Sequence, residues 1–221
     1  TGDDNAAVVR ESDVVVLAVK PALVPRVLAD LRAALGDALA KPLWLSIAAG
    51  VSIARIESEL PRGARVVRAM PNTPALVRAG ATAYAANAAA TAADRALTQS
   101  LFACAGLAWE APEESLLDAV TGLSGSGPAY VFVFLEALAD AGVRVGLPRD
   151  AAQRLAIQTR LGAPQLARDT GIGPAQLRDR VSSPGGTTIA GRARLEAAGF
   201  RAALLDAVEA ATRRSRELGG S

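Results

Sequence analysis

Before residue 112 the apolar residues come in short, β-branched runs separated by amphipathic stretches; after it they recur every three or four residues to the end of the chain. The first pattern is that of parallel strands crossed over by helices, the second that of helix packed on helix. Residues 14–19, 43–47, 65–69, 79–85 and 107–110 read as strands. Residues 21–35, 53–60 and 92–105 read as helices, the first tolerating Pro21 in its opening turn. Because 14–19 is apolar on successive positions, both its faces are expected to be covered, as in parallel sheets. Three strands with helical crossovers make half of a doubly wound sheet. Beyond the switch, helices are expected at 128–141, 149–169, 174–181, 187–198 and 200–218, with Pro164 kinking the second by removing an intrahelical bond. The division that follows is 1–112, α/β, and 113–221, all-α.

Tyr130, Val131, Phe132, Phe134, Leu135 and Leu138 leave the 128–141 helix polar at only Glu136 and Asp140. Such a helix must be buried on most sides, and a small helical domain has few layers to bury it in. Burial between subunits is the expected solution. Composition excludes several function classes. The chain is 51% hydrophobic and 21% charged, the balance of a globular protein, and 24 basic against 22 acidic residues leave a formal +2, too weak a field to argue for nucleic acid or lipid despite a pI near 9.1. With no histidine and a single cysteine, an internal disulfide, a Cys/His zinc site and any Ser-His-Asp or Cys-His machinery are excluded, and no metal site is expected. Cys104 is expected on the inward face of its helix beside Leu101 and Phe102. No leader and no stretch of eighteen uninterrupted apolar residues is visible, so the expected compartment is the cytoplasm and no membrane partner is expected.

Three segments could carry chemistry. Ser182-Ser183-Pro184-Gly185-Gly186-Thr187-Thr188 lies between two helical patterns. A hydroxyl before the first turn can cap it, the glycines admit close approach of a ligand, and free N–H groups at the helix start favour a carboxylate or phosphate. An ordinary capped turn is the competing account. Lys20 stands at the carboxyl end of the first strand, where open α/β sheets bind ligands, and is either a phosphate or ribose contact or a solvated strand-end lysine. Ser46 to Gly50 and Met70 to Pro74 end the next two strands on what would be the same edge. Gly122 to Ala129 superficially suggests a phosphate loop, but no Walker lysine follows and no strand precedes it, so it reads as a hinge or site wall.

Taken in order, AVKP (18–21), SIAAGVSI (46–53), MPNTP (70–74), GLSGSGPAY (122–130) and VSSPGGTTIAG (181–191) with LEAAGFRAALLDAVEAA after it resemble pyrroline-5-carboxylate reductases over essentially the whole chain. The resemblance implies a Rossmann-like dinucleotide-binding domain followed by an all-helical substrate-binding and dimerisation domain. It implies reduction of 1-pyrroline-5-carboxylate to L-proline, the last step of proline biosynthesis, with NADPH or NADH, in homodimers or larger oligomers. Carried over by position, Asn5, Ala18, Lys20, Pro21, Ala49 and Asn72 line the cofactor, with Asn5 near the adenosine ribose. Ser183, Gly185, Gly186, Thr187 and Thr188 form the substrate pocket, and Thr188 bonds the ring nitrogen as the catalytic residue. The family's opening strand and GxGxxG loop are not found in these residues, so the chain as written is expected to hold a dinucleotide poorly and to be inactive by itself. Two other functions fit parts of the pattern. A related hydroxy-acid or keto-acid dehydrogenase commonly needs a lysine in the helical domain, and both lysines here lie in the first half; a non-catalytic oligomerisation fragment would need only the apolar helix.

Overall fold

The computed structural model describes residues 4–220. Its sheet has five strands in the order β1 (Val14–Leu17), β2 (Leu43–Ser46), β3 (Arg65–Met70), β4 (Gly80–Ala86) and β5 (Gly106–Glu110). Strands β1, β2 and β3 are parallel, with Leu17 opposite Ser46 and Ser46 opposite Arg68. The helices α2 (Val24–Leu35) and α3 (Ile53–Glu57) make the crossovers between them. Side chains alternate across the sheet. Val15, Leu17, Trp44 and Val66 pack with Leu28 and Leu31 of α2 and Ile56 of α3, while Leu43, Leu45, Val67 and Tyr84 pack on the other face with Phe102 of α4 (Ala92–Ala103). Burying each such leucine or isoleucine contributes about 1.5–3 kcal/mol. Trp44, fully buried, also donates its indole N–H to the Leu39 carbonyl at 2.9 Å.

Several expectations need correction. The first strand stops at Leu17, two residues early, and its second face is covered only in part: Val14 packs against the Leu43 cluster, while Val16, on an edge strand of the described sheet, is 52% exposed. Strand β4 runs antiparallel to β3, Met70 facing Ala83. The reason is its connection, a 3₁₀ turn over Thr73–Val77, too short for the dozen or more residues a parallel crossover takes. A short helix α1 (Asn5–Glu11), capped by Asp4, precedes β1 where no element is expected. Cys104 is exposed rather than inward. At 100° per residue it lies nearly opposite Phe102 and shares the side of Leu101, which is itself 45% exposed.

The largest difference concerns Gly122 to Ala129. It is no loop: α5 (Leu116–Val120) continues through a π turn over Thr121–Gly125 into α6 (Gly127–Arg144). The remaining helices are α7 (Arg149–Thr170, with Pro164 inside it), α8 (Pro174–Arg180), α9 (Thr187–Ala197) and α10 (Phe200–Gly219). By compactness the chain forms one unit of Thr1–Pro128 with Val208–Ser221, and a second of Ala129–Ala207. The run Leu116–Arg144 is long and apolar enough to cross a membrane by length and composition. Its large side chains are open in the single chain, Phe132 and Val133 by 64% and 66%.

Candidate functional site

In the first unit, parallel pairing puts the carboxyl ends of β1, β2 and β3 on one edge. Ala18, Lys20 and Pro21 follow β1, Ala49 follows β2 and Asn72 follows β3, so the structure brings these five predicted residues to a common border. Ala18, Lys20, Pro21 and Ala49 are exposed there, and Lys20 makes no ion pair among the described residues. Small side chains and one available cation suit a flat, phosphate-bearing molecule, so this edge fits a dinucleotide. Gly50 turns the chain away from the edge with φ +74°, a left-handed conformation that glycine adopts without strain.

Of the six, Asn5 is placed elsewhere, and Asn72, though at the border, commits its side chain to the protein. Asn5 opens α1 and lines a shallow depression with Val27, Asp30 and Leu31 of the α2 flank; no hydrogen bond links it to Lys20 or Ala49. The Asn72 side chain works inside the protein: its Nδ2 donates to the Ser124 carbonyl at 3.0 Å and its Oδ1 accepts the Ala81 N–H at 2.9 Å. It thereby ties the loop after β3 to the π turn, where Thr121 O accepts from Ser126 N.

The second unit holds the Ser-Pro-Gly-Gly-Thr-Thr corner, and its geometry follows from its residues. Gly186 N donates to Ser183 O at 3.0 Å, Pro184 takes the second position and Gly185, with φ +68°, the third, the combination of a type II turn. The turn delivers the chain into α9 with Gly186 as N-cap, and no side chain caps it, contrary to the expected hydroxyl cap. Gly186 has no Cβ, which would stand 2.4 Å from Ser183 Oγ. The amides at the start of α9 thus face outward, at the positive end of the helix dipole. Ser182 Oγ anchors the corner to α8 by donating to Arg178 O at 2.7 Å. Ser183, Gly185, Thr187 and Thr188 are exposed, and neither threonine hydroxyl has a partner among the described residues. One turn on, Arg192 lies 3.9 Å from Asp179, with its Nε buried and unpartnered. Chemically the corner offers uncommitted amides and two hydroxyls to a small anion.

Sequence reasoning missed a buried polar network beneath the strand edge. Arg68, on β3 with its side chain 9% exposed, donates to Glu114 Oε1 at 2.8 Å, and its other terminal nitrogen is 4.0 Å from Asp118 Oδ1. Glu114 also accepts the Ile53 N–H at 2.9 Å, and Asp118 accepts Ser215 Oγ at 2.7 Å. An arginine inside an otherwise apolar strand was the available signal, since a buried guanidinium requires carboxylate partners.

A family model described as pyrroline-5-carboxylate reductase dimerisation matches residues 114–218. The pyrroline-5-carboxylate reductase of Synechocystis sp. is 53% identical over 216 residues, covering 98% of this chain and 79% of that protein. The one from Methanosarcina acetivorans is 48% identical over 216 residues, covering 98% and 78%. A solved pyrroline-5-carboxylate reductase from Coxiella burnetii superposes with a TM-score of 0.93 at 41% identity over 99% of this chain and 80% of that one. The Plasmodium falciparum pyrroline carboxylate reductase, solved with NADP bound, gives 0.88 at 34% identity over 99% and 81%.

Proposed function

The chain belongs to the pyrroline-5-carboxylate reductase family, and from that membership we propose that it reduces 1-pyrroline-5-carboxylate to L-proline, closing proline biosynthesis, with NADPH or NADH as reductant. The observation that carries this is a match extending over both the sheet and the helical half, at an identity that fixes the family.

The absence of histidine is compatible with the chemistry. When bound, the nicotinamide supplies the hydride, so the chain's task is orientation and charge. In this reading Ala18, Lys20, Pro21, Ala49 and Asn72 hold the dinucleotide along the carboxyl edge, and Asn5 meets the adenosine ribose end. Lys20 provides the cation for phosphate or ribose, and Asn72 contributes by fixing the backbone of its loop. The free amides of the Gly185–Thr188 corner, that of Gly186 being committed to Ser183 O, take the substrate carboxylate with the Ser183 hydroxyl. A protonated cyclic imine is already electrophilic, so Thr188 needs only to hold the ring nitrogen through its hydroxyl and keep a proton there. The functional division in this reading is 1–112 for the dinucleotide and 113–221 for substrate and dimerisation.

The protein self-associates, as its dimerisation region supports. We assign that association to a homodimer or a multiple of it, acting in the cytoplasm, with the apolar helix faces covered by a second copy and with no nucleic-acid or membrane partner. Purified full-length protein supplied with pyrroline-5-carboxylate should consume NADPH or NADH and yield proline. Intact dimers that consume neither would overturn the enzymatic assignment in favour of an oligomerisation module.

A further inference from the structure

We propose that Arg68 and Ser215 are positioning residues for the dinucleotide, acting through the backbone that follows Ala49, from Gly50 to Ile53. The inference rests on the reading that Ala49 lines the cofactor.

The argument starts from cost. A largely buried guanidinium beside two half-buried carboxylates stabilises a fold poorly compared with apolar side chains of the same volume. Here the groups connect specific backbone segments. Glu114 spends one oxygen on both Arg68 and the Ile53 N–H, the first amide of α3 and one that the helix cannot satisfy itself. That bond fixes the end of the 48–53 turn, whose beginning is fixed by Ser46, fully buried, accepting the Ala48 N–H at 3.3 Å. Asp118, beside the other arm of Arg68, receives the Ser215 hydroxyl, which is buried near the end of α10. Three residues later α10 reaches the same turn: a Cβ on Gly50 would stand 3.5 Å from Leu218 O and 3.7 Å from Gly219 N. The two arms therefore converge on the backbone just after Ala49, one at the Ile53 amide that opens α3 and the other at Gly50 through α10. Neither Arg68 nor Ser215 reaches the strand edge; each sets the position of the peptide that does.

The test uses the full-length protein with two substitutions. Ser215→Ala deletes one hydrogen bond, and Arg68→Lys keeps the charge but loses the two-armed fork. NADPH affinity is measured by calorimetric titration without substrate, alongside kcat, KM for pyrroline-5-carboxylate and urea unfolding. Both variants should weaken NADPH binding by about tenfold while kcat at saturating NADPH and KM for pyrroline-5-carboxylate stay within about twofold of wild type. Unchanged NADPH affinity in Ser215→Ala overturns the proposal, and so does a loss shared equally by both ligands. Should Arg68→Lys fail to fold, Ser215→Ala decides alone. A wild-type protein that binds no NADPH would instead sink the assigned reaction, and the proposal with it.

Discussion

In the proposed reaction, Thr188 is the residue that bears most directly on turnover. Thr188→Ala removes the hydroxyl oxygen proposed to accept the iminium N–H, a bond worth about 1–3 kcal/mol, so kcat/KM should fall roughly tenfold to a hundredfold in steady-state assays with folding intact. Gly185 tests the corner differently: nothing surrounds its missing side chain, so Gly185→Ala introduces only the left-handed backbone penalty of about 1–2 kcal/mol. KM for substrate should rise as the turn opens. The turn at Gly185 was legible because Pro then Gly in a tight turn has few conformations, whereas the role given to Thr188 came from the family resemblance. Away from the site, Asp94 is pushed up by burial, but hydrogen bonds from Thr91 and the Arg65 guanidinium outweigh that and hold its carboxyl below the usual value of 3.8. A depressed folded value gives stability that is complete above about pH 4 and is lost as pH falls through the folded value. Asp94→Asn should therefore lower urea stability by about 1–2 kcal/mol near neutrality, with the gap to wild type narrowing below pH 4.

At the scale of elements, Gly122 explains why a glycine-rich run folds as helix. Glycine costs a helix about 1 kcal/mol, and a local reading makes such a run a loop. What compensates is α10, so close that a Cβ on Gly122 would meet Val208 O at 2.6 Å and Thr212 Oγ1 at 2.3 Å. Gly122→Ala should destabilise by about 1–3 kcal/mol in urea unfolding, because a helix backbone cannot rotate away as a side chain can. Neither this approach nor the Arg68 network could be read from the chain alone, since their partners lie from 46 to 97 residues away. Helices α7 to α10 were legible nearly to the residue, their periodicity being local and punctuated by Gly171, Gly173 and Gly199. Strand direction was legible only indirectly: the β4 sequence is compatible with either sense, and the shortness of its link from β3 decides.

For the whole molecule, the exposed apolar side chains of α6, α7 and α10, among them Phe132, Leu161 and Leu205, form a surface that a soluble monomer would not keep in water. Sedimentation velocity should return a dimer or a multiple of it at micromolar concentration. Phe132→Glu with Leu205→Glu should shift the population to monomer, because two carboxylates cannot be desolvated in an apolar seam. The solvent-facing thiol that ends α4, held by no more than a 3.3 Å contact to Ser100 O, gives the experimenter one chemically addressable point per copy of this chain. A maleimide dye attached there would count subunits without any engineered cysteine. A nitroxide at the same atom would report the spacing between copies, turning this exposed thiol into a ruler for the assembly.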